Sequence, residues 1–84
     1  MTFSIEIGST AKRILKKMEK HVALRIIDKL EEVKEDPFRF LEHFEGEDVY
    51  KLRIGDYRAL IDVDFATMIL KVRVLDKRGR VYKR

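Results

Sequence analysis

Apolar and polar residues alternate over residues 3–7 (FSIEI), which is the period of a half-buried strand. Gly8 interrupts the alternation, and Ser9 or Thr10 is the expected N-cap of a following helix. Two stripes of apolar residues at helical spacing come next: Ala11, Ile14, Leu15 and Met18, then Ala23, Ile26, Ile27, Leu30 and Val33. The second stripe must end before Pro37, because a proline disfavours helical geometry in the residue before it. The pattern therefore predicts one strand followed by a helical hairpin.

The C-terminal half returns to alternation and predicts three strands, over residues 49–54, 57–63 and 68–75. Short connections at residues 55–56 and 64–67 imply antiparallel hairpins. Residues 38–48 lack clear periodicity, and their apolar side chains are expected to fold back onto the core: Phe38, Phe40, Leu41 and Phe44. A chain of 84 residues has room for one core, so residues 1–84 form a single domain. The predicted fold is α+β, in the order β-α-α-β-β-β, with an antiparallel sheet that carries the N-terminal helical hairpin on one face.

The predicted sheet has one apolar and one basic face. The apolar face should meet the helices through Tyr50, Leu52, Ile54, Tyr57, Ala59, Ile61, Val63, Met68, Leu70, Val72 and Val74. The opposite face carries Lys51, Arg53, Arg58, Lys71 and Arg73.

The turn lengths predict how the arginines are paired. A two-residue turn at residues 55–56 places Arg53 directly opposite Arg58, and a four-residue turn at 64–67 places Arg58 opposite Arg73. Like charges directly opposite destabilise a sheet by roughly 0.2–1 kcal/mol per pair. A bound phosphate would reverse that cost, because guanidinium groups bind its oxygens in pairs. The three arginines therefore indicate an anion site, the alternative being an exposed face whose charges prevent aggregation.

Charge is distributed unevenly along the chain. The net charge is +4, but residues 1–48 carry 9 basic and 11 acidic side chains, and residues 49–84 carry 10 basic and 4 acidic ones. A basic surface on so small a domain favours nucleic acid or an acidic protein segment as partner, the alternative being simple solubility. The absence of cysteine excludes disulfides, thiolate metal sites and cysteine nucleophiles. With no long apolar stretch and no secretory signal, a cytoplasmic protein without membrane contact is expected.

Two segments carry a resemblance to a known family. Residues 49–58 (VYKLRIGDYR) are similar to the signature of the RelE/ParE superfamily of small toxins. Residues 76–84 (DKRGRVYKR) resemble its closing motif, an arginine followed by a valine–tyrosine pair. The helix stop at residues 36–37 and the stretch 41–46 also fit. The resemblance covers essentially the whole chain and implies a RelE-like microbial RNase-type fold and a toxin of a type II toxin–antitoxin pair.

The RelE-like branch is the one that the resemblance favours. It implies a cytoplasmic endoribonuclease that cuts messenger RNA in the ribosomal A site, needs no metal or other cofactor, and is neutralised by a RelB-like antitoxin. Two alternatives stay open: a ParE-like, non-enzymatic toxin that inhibits DNA gyrase, and a catalytically silent module that only binds the antitoxin.

The resemblance also implies a catalytic set: Lys51, Arg53, Arg58, Arg78 and Tyr82. RNA carries its own nucleophile, the 2′-hydroxyl, so the enzyme must orient it, remove its proton and neutralise charge on the phosphate. Arg58 and Arg78 are expected to clamp the scissile phosphate, because arginine cannot act as a base at ordinary pH. Lys51 is expected to be the base or a charge stabiliser. Tyr82 would orient the 2′-hydroxyl or stack on a base, or else pack as an ordinary terminal aromatic residue.

Further basic residues are expected to contact RNA outside the reacting phosphate: Arg73, Lys71, Lys77, Arg80, Lys12 and Lys16. The last two lie on the solvent side of the first helix, where they would contact ribosomal RNA phosphates or simply be solvated. His21 and His43 lie away from the basic strands and are expected to be structural. Asp62 and Asp64 have no third ligand near them in the sequence, so no metal site is predicted.

Overall fold

The computed structural model describes residues 2–45 and 48–77, with the backbone alone at Glu45. In this part of the chain the strands are β1 (Ser4–Ile7), β2 (Glu42–Glu45), β3 (Val49–Ile54), β4 (Tyr57–Asp64) and β5 (Ile69–Lys77). The helices are α1 (Ser9–Lys17) and α2 (Lys20–Val33), and a 3-10 turn follows at Pro37–Arg39. The described strands form one sheet in the order β1-β5-β4-β3-β2. The α+β fold class is thus confirmed.

The sheet is mixed rather than antiparallel throughout as predicted, because β1 pairs with β5 in parallel while the other pairs are antiparallel. The parallel pairing needs a crossover, and the two helices supply it between β1 and the remaining strands. Neither helix has the length and apolar run needed to span a bilayer.

One core joins the helices to one face of the sheet. From the helices it takes Ala11, Ile26, Leu30 and Val33, and from the sheet it takes Leu52, Ile54, Ala59, Ile61, Val63, Leu70, Val72 and Leu75. Both predicted helical stripes are therefore confirmed in the main, although Ile27 remains 36% exposed. The side of the sheet that α1 and α2 leave uncovered is called the open face below.

Gly8, rather than Ser9 or Thr10, is the N-cap of α1, so the predicted cap is wrong. Its N–H donates to the Val72 carbonyl at 2.8 Å, and its own carbonyl accepts the Lys12 N–H at 2.8 Å. A Cβ atom at this position would lie 3.0 Å from the Val72 oxygen. The close approach of β1 to β5 therefore requires glycine where strand passes into helix.

The hairpin between β3 and β4 has the predicted register. Gly55 has a φ of 58°, the left-handed geometry that glycine supplies at the first central position of a two-residue turn. Ile54 consequently pairs with Tyr57. Arg53 lies directly opposite Arg58, which confirms this half of the predicted arginine alignment.

The turn between β4 and β5 differs from the prediction by one residue at each end. Met68 has a φ of 60°, which is incompatible with a strand, so β5 begins at Ile69 instead. The Asp64 carboxylate accepts the backbone N–H groups of Ala66 and Thr67 at 3.0 and 3.1 Å. The hydrogen bonds from Thr67, and then from Ala66, hold the pKa of Asp64 below its usual range. Asp64 thus organises a turn that occupies residues 65–68.

A β-bulge in β5 changes the rest of that pairing. Ile61 pairs with Val72, but the preceding residue, Leu60, pairs with Val74, which leaves Arg73 as the extra residue. The bulge also reverses which side chains face the helices beyond it. Leu75 is 1% exposed in the core, and Val74, predicted to be inward, is only half-buried.

The pairing of Arg58 with Arg73 is therefore a wrong prediction. Arg58 lies opposite Asp76, so the strand on its second side presents a carboxylate rather than a third guanidinium. Two arginines are aligned across the open face, not three.

The segment between the helices and β3 contains a strand that the sequence pattern does not predict. β2 pairs antiparallel with β3, with a register shift between His43 and Glu45. Its sequence, EHFE, has little apolar alternation, so the pairing with β3 rather than its own pattern makes it a strand. Leu41 is buried as expected, whereas Phe38 is 46% exposed.

Candidate functional site

A small cavity of about 150 Å³ opens on the basic end of the open face. Its lining brings together three of the predicted catalytic residues, Lys51, Arg53 and Arg58, and adds two others, Phe40 and Glu42. The residues come from the end of the 3-10 turn and from β2, β3 and β4. The cavity is called the basic cavity below.

Strand geometry positions the three cations. Lys51 and Arg53 are two residues apart on β3, so both project from the same face. Their neighbour Leu52 points the other way and is 2% exposed, which fixes the orientation of the strand. On β4, Ala59 has no exposed surface and points into the core, so its neighbour Arg58 projects from the open face. The positions of the charged groups therefore follow from burial of the apolar residues beside them.

The basic cavity has an excess of positive charge. Lys51 Nζ lies 3.6 Å from Glu42 Oε1, and Lys51 is the more shielded of the two, at 31% against 73% side-chain exposure. Arg53 is exposed, whereas Arg58 is half-buried and its Nε atom is shielded from solvent. One carboxylate among three cations leaves the lining suited to an anion. Fixed guanidinium groups of this kind bind phosphate oxygens and stabilise charge that develops on them.

Phe40 is a lining residue that the sequence pattern predicts only as part of the core. Its N–H donates to the Pro37 carbonyl at 2.9 Å. Lys29 Nζ lies 4.4 Å from the ring centroid, and the Arg39 guanidinium carbon lies 5.8 Å from it. The pairing of β2 with β3 brings this segment beside the cations, and that pairing has no clear signal in the sequence.

Two predicted RNA-binding residues lie at the other, acidic end of the open face. Arg73 forms an ion pair with Asp62, with nitrogen–oxygen distances of 3.4 Å. Lys71 lines a larger cavity, about 670 Å³, whose acidic members are Glu6, Asp48, Asp62 and Asp64. Four carboxylates repel phosphate, so the larger cavity is the poorer candidate for an RNA site. The open face is thus divided into a basic and an acidic end.

The remaining basic candidates are not gathered at the basic cavity. Lys12 and Lys16 are exposed on α1, which covers the opposite side of the sheet. Lys77 lines a cavity of about 380 Å³ beside the junction of α1 and α2. Arg78, Arg80 and Tyr82 lie outside the described residues, so their expected roles stay predictions.

Neither histidine reaches the basic cavity. His21 is exposed at the start of α2, with Nδ1 at 3.6 Å from Glu19. The His43 ring contacts the Tyr50 ring at 5.3 Å, and Tyr50 lies on the helix side of β3. Within residues 2–45 and 48–77, no group of three or more histidine or acidic side chains is arranged to hold a metal ion.

Comparison with known proteins relates this chain to small toxins of toxin–antitoxin systems. A model of the ParE toxin of the type II toxin–antitoxin system parDE matches residues 5–81. An archaeal RelE–RelB complex from Pyrococcus horikoshii OT3 is 26% identical, with a TM-score of 0.82 over 95% of this chain and 99% of that one. The intact Escherichia coli RelBE complex is 25% identical, with a TM-score of 0.77 over 93% and 99%.

A RelBE complex from Mycobacterium tuberculosis has the same fold, with a TM-score of 0.83 at 20% identity over 93% of this chain and all of that one. Comparison with curated protein sequences returned no significant match.

Proposed function

The chain belongs to the ParE toxin family of type II toxin–antitoxin systems, as a RelE-like member of the RelE/ParE superfamily, and we propose that it is a ribosome-dependent mRNA endoribonuclease. The observation that carries this proposal is the basic cavity, where Lys51, Arg53 and Arg58 converge beside an aromatic ring. Cations gathered in one concave site can neutralise the charge that develops on a phosphodiester during its cleavage.

The proposed reaction uses groups of the RNA and of this chain, with solvent as the proton source for the leaving group. The 2′-hydroxyl gives up its proton to the base as its oxygen attacks phosphorus and forms a P–O bond. The bond to the 5′-oxygen breaks and that oxygen takes a proton from solvent, which yields a 2′,3′-cyclic phosphate and a 5′-hydroxyl. Arg53 and Arg58 neutralise charge on the non-bridging oxygens, because guanidinium groups stay protonated throughout. Lys51 acts as base or charge stabiliser, and Arg78 and Tyr82 complete the proposed set.

The test is cleavage of mRNA on programmed ribosomes by the purified toxin. We expect cuts within the A-site codon, with cyclic phosphate at the upstream end and hydroxyl at the downstream end. An intact mRNA after incubation with a folded toxin would contradict the proposal.

We further propose that a RelB-like antitoxin is the neutralising partner, because the similar structures from Pyrococcus horikoshii and Escherichia coli are complexes of RelE with RelB. The basic cavity is the surface that an antitoxin must cover or distort to stop cleavage. An acidic or mixed-charge helical segment lying on or beside β3 and β4 would do so. While the antitoxin is bound, mRNA and ribosomal RNA could then not reach the basic cavity.

Antitoxin binding is expected to weaken as the salt concentration rises. Screening shortens the reach of charge contacts, with a Debye length of about 10 Å at 0.1 M and about 3 Å at 1 M. Titration calorimetry across this range should show the trend, and Arg53→Ala should flatten it by removing one exposed cation. An affinity that is independent of salt would contradict an antitoxin held by the basic cavity.

Removing the carboxylate from the basic cavity should strengthen RNA binding. Two charges about 4 Å apart in water interact by roughly 1 kcal/mol, so Glu42→Gln should tighten binding of a short RNA by up to about fivefold. Fluorescence anisotropy measures the change. Glu31→Gln is the matched control, because Glu31 on α2 forms its ion pair with Lys34, the residue that caps the end of that helix. Equal effects of both substitutions would show that only net charge matters.

The match to a ParE toxin model supports a second candidate, a ParE-like toxin, which by the family resemblance would inhibit DNA gyrase. A gyrase supercoiling assay with the purified toxin separates the two. Inhibited supercoiling together with intact mRNA would support the ParE-like alternative. A chain that neither inhibits gyrase nor arrests growth when expressed alone would instead be a silent antitoxin-binding module.

A further inference from the structure

We propose that Phe40 forms a nucleobase subsite in the basic cavity, where a base of single-stranded RNA stacks against its ring. The base belongs to the nucleotide whose phosphate contacts Arg53 and Arg58. This inference deepens the proposed function and rests on its RNA substrate.

The chemistry of the lining matches a nucleotide in both its parts. Lys51, Arg53 and Arg58 offer charge to a phosphate, and the Phe40 ring is the aromatic surface in the same lining. An inorganic anion or an acidic side chain would use only the cations. A nucleotide also presents a planar ring, and proteins that bind single strands combine a basic groove with an aromatic platform. The mixed lining therefore favours a nucleotide over a plain anion.

The ring is held in place before any ligand arrives. Leu41, the next residue, is 8% exposed in the core, and the Phe40 N–H donates to the Pro37 carbonyl at 2.9 Å. Lys29 and Arg39 contact the ring through their cationic groups. Because little freedom is left to lose, ordering the ring adds little to the entropic cost of binding.

A purely structural role for Phe40 predicts different behaviour, since the residue also packs against the core. Its loss would then lower stability without changing how the protein responds to a base in the RNA. The decisive quantity is therefore the coupling between the ring and one base, rather than the effect of a substitution alone.

The experiment uses short single-stranded RNAs with 2′-O-methyl groups, which cannot be cleaved, and a matched series that is abasic at one position at a time. Fluorescence anisotropy gives the dissociation constants. For the wild type, the base at one position should contribute about 5- to 150-fold to affinity, the range for stacking on an aromatic side chain. Phe40→Leu should bind the full RNA more weakly than the wild type does, by that same factor. It should bind the full RNA and the abasic RNA with equal affinity. Phe40→Trp should retain the difference.

Phe65→Leu is the matched control, because Phe65 is 50% exposed in the turn at the far end of β4 from Arg58. It should bind both RNAs as the wild type does. If removal of the base lowered the RNA affinity of the wild type and of Phe40→Leu equally, the subsite would be overturned. A wild type that binds no RNA would overturn it as well.

The outcome for the subsite is separable from that for the nuclease. A base-dependent, Phe40-dependent affinity in a protein that leaves ribosomal mRNA intact supports the subsite and contradicts the nuclease. Cleavage at the wild-type rate by Phe40→Leu, with unchanged affinity for the full RNA, overturns the subsite and leaves the nuclease standing.

Discussion

Arg58→Ala is expected to slow cleavage of ribosome-bound mRNA by about 10²–10³-fold. Loss of one preorganised group that stabilises developing charge typically has an effect of this size. Of the two arginines in the basic cavity, Arg58 is the half-buried one, so its guanidinium is held more firmly than that of Arg53. Single-turnover cleavage on programmed ribosomes measures the rate.

Two further variants test why Arg58→Ala should cleave more slowly. Arg58→Lys should restore only part of the rate, because an ammonium group cannot bind two phosphate oxygens in parallel. Arg25→Ala, which removes an exposed arginine from α2, should cleave as the wild type does. A folded Arg58→Ala protein with the wild-type rate would remove this residue from the mechanism and favour the gyrase-inhibiting alternative.

The stability of Arg58→Ala should change little, in either direction. Arg58 lies between Arg53 on one neighbouring strand and Asp76 on the other, so an unfavourable and a favourable charge pairing are removed together. A change within about 1 kcal/mol corresponds to roughly 4–8 °C in melting temperature for a domain of this size. Thermal melts therefore separate loss of catalysis from loss of fold.

Leu75→Ala is expected to lower the free energy of unfolding by about 2–5 kcal/mol, the range for truncating a buried leucine. Leu75 is 1% exposed within the core, and small domains have only about 5–15 kcal/mol in total. The expected loss is therefore a large fraction of the total stability of a small domain.

Val74→Ala is the matched comparison, one residue earlier in the same strand. Val74 is half-buried and points to the open face. Its truncation should therefore lower the free energy of unfolding markedly less than that of Leu75. Urea denaturation followed by circular dichroism gives both values. A larger loss at Val74 than at Leu75 would mean that the bulge is absent in solution and that the simple alternation of the sequence holds.

Local patterns determined most of this fold. The helical stripes, the strand alternation and the Gly55 turn depend on residues close together in the chain, where spacing translates directly into geometry. The pairing of Arg53 with Arg58 follows from the two-residue turn alone, so the central hairpin of the basic cavity was predictable.

Contacts between distant segments decided the rest. Met68 has a left-handed backbone conformation, which is unfavourable for a methionine. The bulge at Arg73 places Leu75 rather than Val74 in the core. These choices shift Arg73 away from Arg58 and toward Asp62. Register between β4 and β5 reflects the packing of the whole sheet, which the sequence of either strand does not encode.

The basic cavity shows the same division. Lys51, Arg53 and Arg58 share a face for local reasons, because strand period and turn length require it. Phe40 and Glu42 come to lie beside them through the long-range pairing of β2 with β3. A short polar edge strand has no periodic signal of its own and forms because β3 offers unpaired backbone groups along its free edge.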